Sequence, residues 1–91
     1  LGLWLQTLTP QLAAALGLEA GTQGVAVTEV APGSLGARAG LSEGDVVTEI
    51  DQKPVATMAQ AVRALKGPRP GGHLLRVKGA RGTRFVTLPE R

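Results

Sequence analysis

Gly40-Leu41-Ser42-Glu43-Gly44-Asp45-Val46-Val47, followed closely by Ile50-Asp51-Gln52-Lys53-Pro54-Val55, is the stretch that decides how the chain folds. Gly40 suits a left-handed stop to a preceding helix, and Leu41 then folds back onto a core. Gly44-Asp45 makes a polar turn, in which glycine supplies backbone freedom and aspartate a local hydrogen bond. Val46 to Ile50 reads as a buried strand. Asp51-Gln52-Lys53 is a tight bend, and Pro54-Val55 a brief edge segment.

On the N-terminal side, Ala31-Pro32-Gly33-Ser34 forms a turn, with Ser34 placed to cap one or two helical turns over Leu35 to Ala39. Val25 to Val30 is β-branched and mostly apolar, a strand preceded by a surface loop from Glu19 to Gly24. Thr9 as N-cap and Pro10 at the first helical position start a short helix, whose stripe is Leu12, Ala13 and Leu16 and whose stop is Gly17. Leu1, Leu3 and Leu5 alternate with Gly2, Trp4 and Gln6, which is strand periodicity with three leucines on one face.

On the C-terminal side, Thr57 caps a longer helix. Met58, Ala61, Val62 and Leu65 fall at i, i+3, i+4 and i+7, forming one apolar face. Gly67-Pro68 breaks that helix, and Pro70-Gly71-Gly72 extends the loop. Leu74 to Lys78 and Thr83 to Leu88 are strands joined in a hairpin at Gly79-Ala80-Arg81-Gly82. The expected class is α+β: a small, antiparallel-rich sheet or partial barrel of about five to six strands, capped by two to three helices.

Ninety-one residues make a single domain over 1–91. A hydrophobic share of 43% is enough for a folded core. No run is long enough for a membrane span, and no targeting peptide is visible. The chain opens inside an apolar run, so a fragment of a larger protein with a trimmed N-terminal edge is expected. With no cysteine, disulfides and thiolate metal sites are excluded within the chain. A net charge of +3 is mildly basic. Nucleic-acid binding needs aromatics to stack on bases, and the chain has one Trp and one Phe, so no nucleic-acid partner is expected. The charge favours anionic partners instead, a free carboxylate among them.

Catalysis finds little support. His73 is the only histidine, and its position at the start of a strand reads as a surface residue. Ser34 and Ser42 sit in turn or cap contexts without a nucleophile elbow. The acids are scattered, so no metal cluster and no cofactor is expected. Arg76, Lys78, Arg81 and Arg84 read as a solvated basic face on the final hairpin.

The Gly40–Val55 run resembles the A-G-L-x-x-G-D-V-I…I-N-G-x-x-V signature of PDZ domains. Leu5 to Ala13, followed by Gly24 to Val30, is similar to the PDZ modules of HtrA/Deg-type serine proteases. The N-terminal strand, with Phe85 to Leu88 closing the sheet, resembles the permuted bacterial strand order. The resemblance implies a ligand groove between strand Leu3–Thr7 and helix Met58–Lys66, preceded by a loop ending in Leu1-Gly2-Leu3. An open strand edge is satisfied there by an extended peptide. Amides around Gly2 and Leu3 would converge on its terminal carboxylate. Leu1, Leu3 and Leu5 would line the pocket for its last side chain, with Met58, Ala61, Val62 and Leu65 as the opposite wall or the core beneath it. Trp4 either packs on a neighbouring domain or loop, or contacts a ligand side chain pointing out of the groove. With Gln6 on the same strand, these residues form the expected peptide and carboxylate site. Burial, carboxylate bonds and strand bonds, less ordering costs, suggest a roughly micromolar dissociation constant, about −8 kcal/mol.

The resemblance further implies a non-catalytic module. Its expected partners are hydrophobic C-termini of unfolded or substrate proteins and a protease domain of the same chain. The parent is expected to be a homo-oligomeric serine endopeptidase of the periplasm or cell envelope. Two alternatives stand beside this. One is an assembly or regulatory PDZ domain with an unoccupied groove, which the short Ala59 and Ala61 side chains also permit. The other is a PDZ domain of another envelope protein, such as a secretion component or intramembrane protease.

Overall fold

The computed structural model describes residues 2–19, 21–67, 69–79 and 82–89. Alternating burial along Leu3–Thr7 gives strand β1, which pairs antiparallel with β2 (Val25–Val30). Trp4 faces Glu29 but Leu5 faces Val27, so Thr28 is an extra residue in β2. Its hydroxyl donates to the Trp4 carbonyl oxygen at 3.1 Å. Between these strands lies α1 (Pro10–Ala15), begun by the Thr9 hydroxyl accepting from the Leu12 amide at 3.1 Å. Helix α2 (Leu35–Arg38) begins the same way, with Ser34 accepting from the Ala37 amide at 3.2 Å.

Strand β3 (Val46–Ile50) lies between β2 and β5 (His73–Gly79), and also pairs with β4 (Lys53–Pro54). Val55, expected in that edge segment, is instead buried in the core. Between β3 and β4, Asp51 and Gln52 both hold left-handed backbones, with φ of 53° and 69°. Helix α3 (Met58–Lys66) follows a full capping box: Gln60 Oε1 accepts from the Thr57 amide at 3.1 Å, and Thr57 Oγ1 from the Gln60 amide at 3.2 Å. Strand β6 (Gly82–Leu88) pairs with β5 from His73–Leu88 to Gly79–Gly82, and this pairing draws His73 into the strand. Among the described residues the central order is β1-β2-β3-β5-β6, antiparallel throughout, with three helices around an open sheet. Val25, Val27, Val47, Ile50, Leu75, Val77 and Leu88 form the centre of the core.

The opening run behaves locally as its chemistry demands. Leu41 is buried, the Ser42 amide donates to Asp45 Oδ2 at 2.9 Å, and Asp45 itself is buried. The basic face is less free than expected. Arg84 donates to Asp45 Oδ2 and to the Gly40 carbonyl, both at 2.8 Å, so it locks β6 to the turn. Arg76 pairs with Glu49 at 3.2 Å. Arg81 lies outside the described residues.

Candidate functional site

Along β1 and the residues flanking it, the Gly2 carbonyl accepts from the Ala31 amide at 2.8 Å, the Trp4 carbonyl from the Thr28 hydroxyl, and the Leu8 amide donates to the Gly24 carbonyl at 3.0 Å. Even-numbered backbone groups therefore point towards β2. By strand alternation, the N–H and C=O of Leu3 and Leu5 point the other way. Among the described residues β1 pairs only with β2, so that outer edge is open.

Beside the edge runs a cleft of about 410 Å³, lined by Leu3, Trp4, Leu5, Met58, Val62, Leu65 and Lys66. The strand supplies one wall and α3 the other. At one end the Met58 amide donates to the Thr7 hydroxyl at 2.8 Å, tying the end of β1 to the start of α3. At the other end α3 stops at Gly67, whose carbonyl oxygen lies 2.9 Å from His73 Nε2.

The expected site residues divide under this geometry. Leu3, Leu5, Met58, Val62 and Leu65 meet in the cleft. Ala61, 1% exposed, belongs to the core beneath it. Gln6 points into solvent and is not part of the lining. Leu1 lies outside the described residues. Trp4, expected on the face opposite the leucines, shares the cleft with them while remaining 52% exposed. Burial still alternates along β1, and the indole lines the cleft from its exposed rim. Gly2 has φ of 72°, and a side chain on it would collide with Ser34. Only glycine leads comfortably into β1 at this place. Gly36 is equally constrained, because Leu3 packs where its Cβ would be.

Two participants escaped sequence reasoning. Lys66 brings a positive charge to the cleft at the end of the helical stripe, one residue beyond Leu65. His73 was expected at the surface but is 8% exposed. Its Nδ1 meets Asp51 Oδ2 at 2.7 Å and its Nε2 meets Gly67. Both nitrogens are thus engaged, which leaves none to activate a hydroxyl nucleophile. Burial pushes the Asp51 carboxyl up. Hydrogen bonds from His73 and the Leu74 amide, with the charges of His73 and Arg69, outweigh it and hold the group below its ordinary value. A larger hollow of about 580 Å³ lies elsewhere, lined by Leu16, Leu18, the Ser42–Asp45 turn, Lys78, Gly79 and Arg84. Among the described residues, no three His, Cys, Asp or Glu side chains gather as a metal group, and no helix is long and apolar enough to cross a membrane.

The family model for the PDZ domain matches residues 26–79. The chain is a PDZ domain. As such it is a non-catalytic module. It is similar to a probable DegP-like periplasmic serine endoprotease of Chlamydia trachomatis, 32% identical over 88 residues, covering 97% of this chain and 18% of that protein. It is also similar to the periplasmic serine endoprotease DegP of Escherichia coli K12, 39% identical over 75 residues, covering 82% of this chain and 15% of the relative. The domain thus spans less than a fifth of the length of these relatives. Among solved structures, the HtrA-type protease AlgW with a decapeptide superposes with a TM-score of 0.82 at 31% identity, covering 98% of this chain and 27% of that one. The HtrA3 PDZ domain bound to a phage-derived ligand, FGRWV, gives 0.84 at 24% identity, covering 98% and 81%. This last likeness bears on the fold alone.

Proposed function

We propose that this PDZ domain captures hydrophobic C-termini by strand addition between β1 and α3, and so recognises substrate for, or regulates, a separate HtrA-type protease domain. The observation that carries the reading is the unpaired β1 edge beside an apolar cleft. Leu3 and Leu5 offer the backbone groups that an added strand needs. Val62, Leu65 and the same leucines receive the terminal side chain, with Met58 at the Thr7 end. The turn at Gly2 and the charge of Lys66 favour a free carboxylate at the opposite end. Peptides described with the AlgW structures support this reading by similarity. The names of the DegP relatives support a periplasmic setting and a parent serine endopeptidase, and we extend the proposal to a homo-oligomeric parent.

Calorimetric titration with C-terminal peptides, each repeated as its C-terminal amide, tests it. Binding near micromolar that is lost on amidation supports carboxylate capture. Equal binding of acid and amide, or none by any apolar-ended peptide, rejects it.

A further inference from the structure

His73 faces two oxygens that can only accept. Asp51 is fully occupied: Oδ2 meets His73, while Oδ1 accepts from the Leu74 amide at 2.9 Å and pairs with Arg69 Nε at 3.2 Å. The Gly67 carbonyl has no proton to give. A neutral imidazole carries one N–H and satisfies one of these partners, whereas the doubly protonated ring satisfies both. The contact joins distant parts of the chain, since Asp51 sits in the β3–β4 turn and Gly67 caps α3.

Gly67 directly follows Leu65 and Lys66, both of which line the cleft. The other end of α3 is already held by Thr7. The imidazole therefore sets where the C-terminal end of the helical wall stands. We propose that His73 is a positioning residue of the peptide groove, holding the end of α3 while its ring carries both protons, so that peptide affinity falls as pH rises through the range in which histidine discharges. This rests on the strand-addition reading above. When one proton leaves, the bond to the Asp51 carboxylate keeps the other, being the charge-assisted one. The Nε2 lone pair then opposes the Gly67 carbonyl, and the helix end loses its tether.

Among the described residues, the charged groups around the clasp include Asp51 and Arg69, with Lys66 next to Gly67 and with Lys53 and Arg63 bordering the same hollow as Asp51. Side chains of these types do not ordinarily change charge between about pH 5.5 and 8. The chain has one histidine and no cysteine, so no second side chain of those types titrates in that window. Acetylation removes the terminal amine from consideration.

The test titrates the acetylated chain at pH 5.5 and 8.0 with N-acetylated peptides ending in valine or leucine, and follows the imidazole nitrogens and the amides of residues 64–67 by nuclear magnetic resonance. Expected are two protonated ring nitrogens at pH 5.5, lower protection of the helix-end amides at pH 8.0 once the base-catalysed intrinsic exchange rate is divided out, and about tenfold weaker peptide binding there. His73→Gln should flatten the affinity profile. Equal affinity at both pH values overturns the proposal while leaving strand addition intact. Absence of peptide binding at either pH rejects strand addition, and with it the claim on affinity. A singly protonated ring at pH 5.5, or equal amide protection at the helix end at both pH values, overturns the clasp whether or not peptides bind. The last two readouts need only the wild-type chain, so they decide even if His73→Gln fails to fold.

Discussion

The Thr7 hydroxyl accepts a hydrogen bond from the Met58 amide at 2.8 Å, across 51 positions of sequence. It fastens the two walls of the cleft at one end, using a helix N-terminal amide that has no partner within its own helix. Thr7→Val keeps the shape and removes the acceptor. The expected result is a loss of about 1 kcal/mol in denaturant unfolding, with peptide affinity reduced a few-fold because the walls no longer keep a fixed spacing.

Leu3→Asp should weaken C-terminal peptides by more than about tenfold, since it places a charge in the apolar slot and repels a carboxylate. Arg84→Ala supplies the contrast. It deprives buried Asp45 of one partner and should cost about 1–2 kcal/mol of stability, yet leave the dissociation constant nearly unchanged. Parallel calorimetry and unfolding of the two variants separates the groove from the basic hairpin. Similar losses of affinity would favour the hairpin.

Asp51 makes folding sensitive to acid. Its carboxyl lies below the ordinary value of 3.8, with its bonds to His73 and Leu74 overcoming the cost of burial. A depressed carboxyl stabilises the fold above its unfolded value, and the contribution disappears as pH falls through the folded one. Unfolding curves at pH 7, 4 and 2.5 should therefore show the wild type losing more stability below pH 4 than Asp51→Asn does. Equal slopes would remove Asp51 from the account.

The β3–β4 connection contains Gln52 with φ of 69°, where a side chain crowds the backbone. Two-residue hairpin turns with both φ values positive favour glycine in the second place. Gln52→Gly relieves that crowding at some cost in unfolded-chain entropy. The net expectation is a gain of up to about 1 kcal/mol, measurable as a higher unfolding midpoint.

Much of the architecture was legible because its signals act over three or four residues. Thr9, Ser34 and Thr57 each cap the helix that immediately follows, and the Ser42–Asp45 turn closes on itself. The leucine alternation and the spacing of Met58, Val62 and Leu65 pointed to both cleft walls. His73 was misjudged because its partners appear only when β3 and β5 pair and α3 packs on the sheet. Isolated in sequence after two glycines, at the start of a strand, it reads as a surface residue. Lys66 falls outside the apolar spacing of the helix, so nothing local marks it as lining the cleft. Parity puts Trp4 on the exposed face, in agreement with its burial, but gives no sign that so large a ring also borders the cleft.

Trp4 carries a practical consequence. The sequence has one tryptophan and no tyrosine, so near-ultraviolet emission of the domain comes from a single indole. That indole stands at the lip of the cleft, about half in water. A tail that dries it on arrival should shift its fluorescence to the blue. Occupancy then becomes visible by optical titration, without dye, label or mutation.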